Sequence, residues 1–172
     1  EKNFSILSAP GNMGEALLKK LKIPCDVVLC PKAHTSSAED TKLCAHIMKE
    51  QGVDLLVFCG GDGTARDICE AVGTDVTVLG IPAGVKMYSA CYACNPYQAG
   101  EMLAGWIEGK EMSYEMREVL DIEEKDLDSR NVSPQLYGFL EVLSDGKHLQ
   151  KAKELMEPCI PVHPLEPKSG VE

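Results

Sequence analysis

Apolar and polar positions divide the chain into alternating short apolar runs and stretches of helical spacing. Met13, Ala16, Leu17 and Leu21 recur at helical intervals, which predicts a helix over 12–22, stopped by Pro24 ahead of a strand from Asp26 to Cys30. Ser36 or Ser37 can cap a second helix, with Leu43, Cys44 and Ile47 facing inward until Gly52 ends it. The run from Asp54 to Cys59 reads as a strand, and its unbroken apolar character predicts cover on both faces, as in a parallel sheet. Thr64 opens a helix over 65–72 with Ile68, Cys69 and Val72 inside, and Gly73 closes it. A strand from Val76 to Ile81 follows. Asn95 and Pro96 then begin a helix that carries Ala99, Met102, Leu103, Trp106 and Ile107.

Short connections between these steps predict an α/β fold with a doubly wound, mostly parallel sheet. The pattern changes near residue 110, where acidic residues take over until Arg130. Leu136 to Leu143 then reads as a strand, Asp145-Gly146 as a turn, and Lys147 to Met156 as a helix, before Pro158, Pro161, Pro164 and Pro167 remove any periodicity. The expected organisation is an α/β nucleotide-binding domain over 1–110 and part of a second, β-containing region with an irregular tail over 111–172.

The formal net charge is −10 over 172 residues, which argues against nucleic acid or an anionic membrane as partner. Any phosphate site must be local, built from backbone amides and one or two cations. No apolar run reaches about 18 residues and no secretory signal opens the chain, so a cytoplasmic protein is expected. Of the eight cysteines, Cys30, Cys44, Cys59, Cys69 and Cys91 fall in apolar or helical patterns that suit buried thiols. Cys91 and Cys94 have redox or zinc spacing but lack the further ligands that a metal needs, so no metal is assigned to them. His34, His46, His148 and His163 are scattered and read as surface or capping residues.

The chemistry concentrates in Phe58-Cys59-Gly60-Gly61-Asp62-Gly63-Thr64, an apolar strand that runs into three glycines around one aspartate. Glycine allows close approach of backbone amides to a ligand, and Asp62 adds a fixed carboxylate that can orient a hydroxyl, take its proton or hold a metal. A second loop, Gly80-Ile81-Pro82-Ala83-Gly84-Val85-Lys86, leaves the next strand at the same sheet edge and brings a lysine with it. Arg66 and Asp67 follow in the first helical turn, where Asp67 suits either the helix terminus or a reaction. Tyr88 and Ser89 lie close enough in sequence to line the same pocket. The Walker and dinucleotide glycine strings and a nucleophile elbow are absent. A kinase-like site remains, one that positions a phosphate donor and an acceptor hydroxyl.

Gly60-Gly61-Asp62-Gly63-Thr64 resembles the signature of the NAD kinase and diacylglycerol kinase superfamily. The longer string to Ile68, with Gly80 to Met87, Asp121-Ile122 and Gln135 to Gly138, is similar to the branch of predicted polyphosphate- or ATP-dependent NAD kinases, which acetoin-catabolism X-type proteins also resemble. The resemblance implies phosphate transfer from ATP or polyphosphate to the 2′-hydroxyl of NAD, giving NADP. It gives Asp62 the acceptor hydroxyl, sets Gly60, Gly61, Gly63 and Thr64 around phosphates, and has Gly84 and Lys86 hold phosphate with Mg²⁺ screening the donor. It also implies a homo-oligomer and a β-rich second domain of which this chain would hold only part. The family's opening strand and glycine-rich loop are expected to lie ahead of this sequence. Rival readings keep the fold and change the role, to a non-catalytic nucleotide-binding or regulatory module, or to a kinase of a lipid or another small alcohol.

Overall fold

A computed structural model describes residues 4–29, 36–84, 87–121 and 134–150. The expected α/β class holds. Strand β1 (Leu7–Ser8) leads through a 3₁₀ turn at Gly11–Met13 into helix α1 (Glu15–Lys20), and β2 (Asp26–Val27) pairs back on β1 in parallel. Next come α2 (Ala38–Glu50), β3 (Leu56–Gly60), α3 (Asp62–Val72), β4 (Val78–Pro82) and α4 (Pro96–Glu108). Strands β5 (Ser113–Asp121) and β6 (Gln135–Ser144) complete a four-stranded sheet of order β3-β4-β6-β5. The β3–β4 and β4–β6 pairings are parallel, and β5–β6 is antiparallel.

Local chemistry accounts for the helix limits. Ser37 and Asp40 form a reciprocal cap on α2, the Ser37 Oγ accepting from the Asp40 amide at 3.2 Å and the Asp40 carboxylate accepting from the Ser37 amide at 2.9 Å. Asn95 accepts from the Gln98 amide at 2.9 Å, Pro96 suits the first turn of α4, and Gly109 ends that helix in the left-handed region.

The core lies on both faces of the sheet. On one face α3, with Ala65, Ile68 and Val72, covers Leu56, Phe58, Val78, Leu140 and Val142, and Met48 of α2 adds to it. On the other, Ala99 and Met102 of α4, flanked by Trp106, cover Leu79 and Leu143. Each such side chain removed from water contributes about 1.5–3 kcal/mol before conformational entropy is counted. Trp106 therefore packs against the core. A smaller cluster of Ala9, Val28 and Cys44 seats the β1–β2 pair against α2.

Strands β4 and β6 share a single registered pair, Val78 with Val142. Beyond it, 91–93 fills the space next to β4. Tyr92 bridges Gly80 in parallel, with the Gly80 amide donating to the Cys91 carbonyl at 3.2 Å and the Ala93 amide to the Gly80 carbonyl at 3.0 Å. Ala93 then bridges Leu149. Gly80 is what permits this approach, because a Cβ there would lie 2.6 Å from both the Cys91 carbonyl oxygen and the Tyr92 ring.

Several expectations need correction. Of the apolar face read over 12–22, half-buried Met13 packs on the β1–β2 cluster, whereas Ala16, Leu17 and Leu21 lie outward, the two leucines 60% and 57% exposed. Periodicity identifies an apolar face but not what covers it. Val57 and Cys59 are also exposed, because β3 is an edge strand and α4 covers the neighbouring part of that face. Strand β1, which is too short to show a period, precedes the first expected element. Lys147 to Gln150 is not helical, since the Asp145 carboxylate takes the Lys147 and His148 amides into a turn; the rest of that expected helix, Cys30, His34 and His163 lie outside the described residues.

The two glycine environments differ enough to test. Gly80→Ala is expected to destabilise the protein by about 1–3 kcal/mol through overpacking. Gly100→Ala, in α4 with open space around it, is expected to stabilise it by roughly 0.5–1 kcal/mol. Urea denaturation of both variants checks the opposite signs.

Candidate functional site

Both glycine loops leave parallel neighbours at the same edge. Gly60 of β3 is registered with Pro82 of β4, and the Ala83 amide donates to the Gly60 carbonyl at 3.0 Å. Gly60 must lack a side chain, because a Cβ there would meet the Thr64 hydroxyl at 2.3 Å. The strand can therefore turn directly into α3, with Gly61 as the capping residue and Asp62 in the first turn.

Asp62 does not simply point into open space. Its Oδ2 accepts from the Tyr88 amide at 2.8 Å and its Oδ1 from the Ser89 amide at 3.0 Å, so one carboxylate joins the start of α3 to the second loop. Charge-assisted bonds of this kind are stronger than neutral ones. A return contact runs the other way: the Tyr92 hydroxyl donates to the Gly61 carbonyl at 2.6 Å. Tyr92 is fully buried and packs edge-on against Phe58, with ring centroids 5.5 Å apart. Burial first, with the Asp62 charge among the lesser causes, pushes both the Tyr92 phenol and the Cys91 thiol up. Tyr92 thus stays a proton-bearing donor.

Ser89, also buried, fastens the segment to β5. Its hydroxyl donates to the Leu120 carbonyl and accepts from the Leu120 amide, each at 3.0 Å, and the Ala90 amide donates to the Glu118 carbonyl at 2.9 Å. Tyr88 and Ser89 therefore do belong to the edge, through their backbone amides. Sequence reasoning missed Tyr92, whose partner lies 31 positions away; its place two residues after buried Ala90 in an apolar run was the available signal.

The expected residues divide as follows. Gly60, Gly61, Asp62, Gly63 and Thr64 converge at the edge, with Gly63 exposed and open space around it, and exposed Gly84 follows β4. Lys86 lies outside the described residues. Asp67 turns away into the α2–α3 contact, where its buried carboxyl is 3.8 Å from the Arg66 guanidinium. Burial pushes this carboxyl up against the opposing pull of Arg66 and Lys42. Nearby, Lys42 bridges Glu39 at 2.9 Å and Glu70 at 3.3 Å, which occupies the shallow groove between the two helices. Cys44 and Cys91 are buried and Cys69 half-buried as thiols, whereas Cys59 is exposed.

The geometry offers fixed amides, a held carboxylate and exposed glycines, an arrangement suited to phosphate and hydroxyl groups. The family model for the ATP-NAD kinase N-terminal domain matches residues 2–111, more than half of the chain. No curated protein and no solved structure matches.

Removing the Asp62 carboxylate should release the second loop. Asp62→Ala is expected to cost about 2 kcal/mol, and hydrogen exchange should quicken at the Tyr88 and Ser89 amides before it does in β5. Unchanged exchange at both amides would refute the clamp. Asp67 carries a pH prediction. Its carboxyl holds a proton to higher pH in the fold than in the unfolded chain, so folding takes up a proton in that window and stability falls as pH rises through it. Asp67→Asn should therefore flatten the fall of stability with rising pH above the ordinary carboxylate range, as read by melts across pH.

Proposed function

As the chain belongs to the ATP-NAD kinase N-terminal domain family, we propose that its glycine-aspartate edge takes part in phosphate transfer from ATP or polyphosphate to the 2′-hydroxyl of NAD, giving NADP. The observation that carries this reading is the Asp62 clamp, which fixes a carboxylate between two loops of exposed backbone. A carboxylate has about four acceptor positions. Two take amides, and the remainder can accept the proton of a ribose hydroxyl and aim its oxygen at a phosphorus atom. Asp62 acts first as an orienting group, in keeping with a reaction in which positioning supplies much of the rate.

In the transfer, the acceptor oxygen forms a bond to the terminal phosphorus as the bond to the donor's bridging oxygen breaks, and the hydroxyl proton leaves by way of Asp62 or solvent. Gly61, Gly63 and Thr64 lie where a phosphate can meet the N-terminus of α3. Lys86 and Gly84 would supply the second loop's contact.

Magnesium would come with the donor's phosphates. Among the described residues no three carboxylate, histidine or cysteine side chains gather as a ligand set. The residues described do not fit a protein-held metal, and no step is assigned to one. No helix among the described residues is long and apolar enough to cross a membrane.

NADP formation by the intact protein, supplied with NAD, Mg²⁺ and either ATP or polyphosphate, tests the reading. Asp62→Ala is expected to lower kcat/KM by at least about a hundredfold, a loss of roughly 2.7 kcal/mol in transition-state stabilisation. Full turnover in that variant, or none in the wild type with either donor, would overturn it.

A further inference from the structure

The turn that follows β6 carries a second group of ionisable side chains at the same edge. Asp145 Oδ1 accepts from the Lys147 amide at 3.0 Å and the His148 amide at 2.9 Å, and its Oδ2 lies 2.5 Å from His148 Nδ1. Burial pushes the Asp145 carboxyl up, but the two amides and the histidine ring outweigh it and hold the group below its ordinary value. A carboxylate only accepts, so Nδ1 carries the proton in this contact and the ring is fixed with Nε2 as its outer atom. Among the described residues Nε2 has no partner. The ring is half-buried and the neighbouring Lys147 is exposed.

Strand register gives this turn its place. Gly60 pairs with Pro82, Gly80 bridges Tyr92 in parallel, and the Cys94 amide donates to the His148 carbonyl at 2.8 Å. Two residues beyond the Gly80–Tyr92 bridge, Cys94 draws about level with Pro82. Gly60, Pro82, Cys94 and His148 thus stand in successive rows, and at about 4.8 Å per row His148 lies roughly 14 Å across the edge from Gly60. That span suits an extended nucleotide better than a single phosphate. The Asp145 charge is already met by three donors, which leaves Lys147, and the outer ring nitrogen of His148 when the ring is doubly protonated and Nε2 also carries a hydrogen, as groups able to meet an anion. In a chain of formal net charge −10, such a pair at the ligand edge is a local exception.

We propose that the Asp145–His148 turn is a second contact for the nucleotide, in which Lys147 and the Asp145-held His148 ring take the di- or pyrophosphate of a ligand bound along this edge, either NAD, whose ribose lies at Asp62, or the donor beside it. This rests on the nucleotide reading of the edge and extends it. The shared chemistry is a phosphate chain, and it can come from the donor or from NAD.

Calorimetric titration of the intact protein with ADP and, separately, with NAD tests the assignment and does not depend on turnover. His148→Ala and Lys147→Ala are each expected to weaken one of the two ligands by roughly five- to tenfold, and His148→Gln, which keeps a donor, to recover part of the loss. The ligand affected identifies the source of the phosphates. Should His148→Ala lower the melting temperature, Lys147→Ala, on an exposed side chain, still decides the question. Equal affinities for both ligands in wild type, His148→Ala and Lys147→Ala would overturn the proposal. Wild-type binding of neither ligand would overturn both this proposal and the phosphotransfer reading. Weakened binding in the variants of a wild type that makes no NADP would overturn the phosphotransfer reading alone.

Discussion

The Asp62 carboxylate, accepting the backbone amides of Tyr88 and Ser89, is the interaction on which the arrangement of the edge depends. Without it the first turn of α3 and the second glycine loop would be joined at that point, among the described residues, through the Ala83–Gly60 backbone bond and the Tyr92 hydroxyl. Each of these bonds crosses between elements distant in sequence, and each depends on the others for its geometry. Gly61 presents its carbonyl to Tyr92 because α3 begins where it does. Asp62 reaches 88–89 because Gly60 leaves room for so sharp a turn. The same carboxylate is the group best placed to meet a ligand, so the stability of the loops and their chemistry fall on one side chain.

The sheet makes room for this arrangement by separating. With one registered pair between β4 and β6, the carboxyl edge opens and 91–93 takes the vacated backbone partners on β4. A side chain at Gly80 would close that opening. The segment then serves two purposes: it satisfies an otherwise unpaired strand end, as buried backbone requires, and it carries Tyr92 beneath Gly61. The sheet is thus irregular where its ligand edge is built.

Much of the fold was legible because its signals are local. Ser37 with Asp40, Asn95 with Pro96, and Gly73 and Gly109 at helix ends each act within a turn or two of the backbone. The steric need for Gly60 is equally local, since its neighbour Thr64 is four residues on. What stayed hidden depends on distant partners. Ser89 reads as a polar loop residue until Leu120 is beside it, and Asp62 reads as a free carboxylate until two amides from another loop reach it. The apolar spacing of Ala16, Leu17 and Leu21 did not tell that they lie outward for a related reason, because cover is a property of the neighbouring layer. Lys147 to Gln150 has helical composition, yet Asp145 competes for the first amides and directs the chain into a turn.

The order β3-β4-β6-β5 carries a consequence for how the protein is held together. Strands β3 and β4 with α3 form a continuous βαβ stretch whose contacts close over short loops, whereas β6 meets β4 only after α4 and β5 have intervened. The β5–β6 hairpin has an extensive ladder of its own and little pairing to the rest of the sheet. Side-chain packing of Val119, Leu140 and Val142 in the α3 core, and the Ser89 and Ala90 bonds to β5, rather than a continuous ladder, therefore join it to the βαβ stretch. The Asp62 end of the edge and the Asp145–His148 end thus follow strands of two ladders that share a core but a single registered pair, so a ligand spanning both would also fasten one ladder to the other.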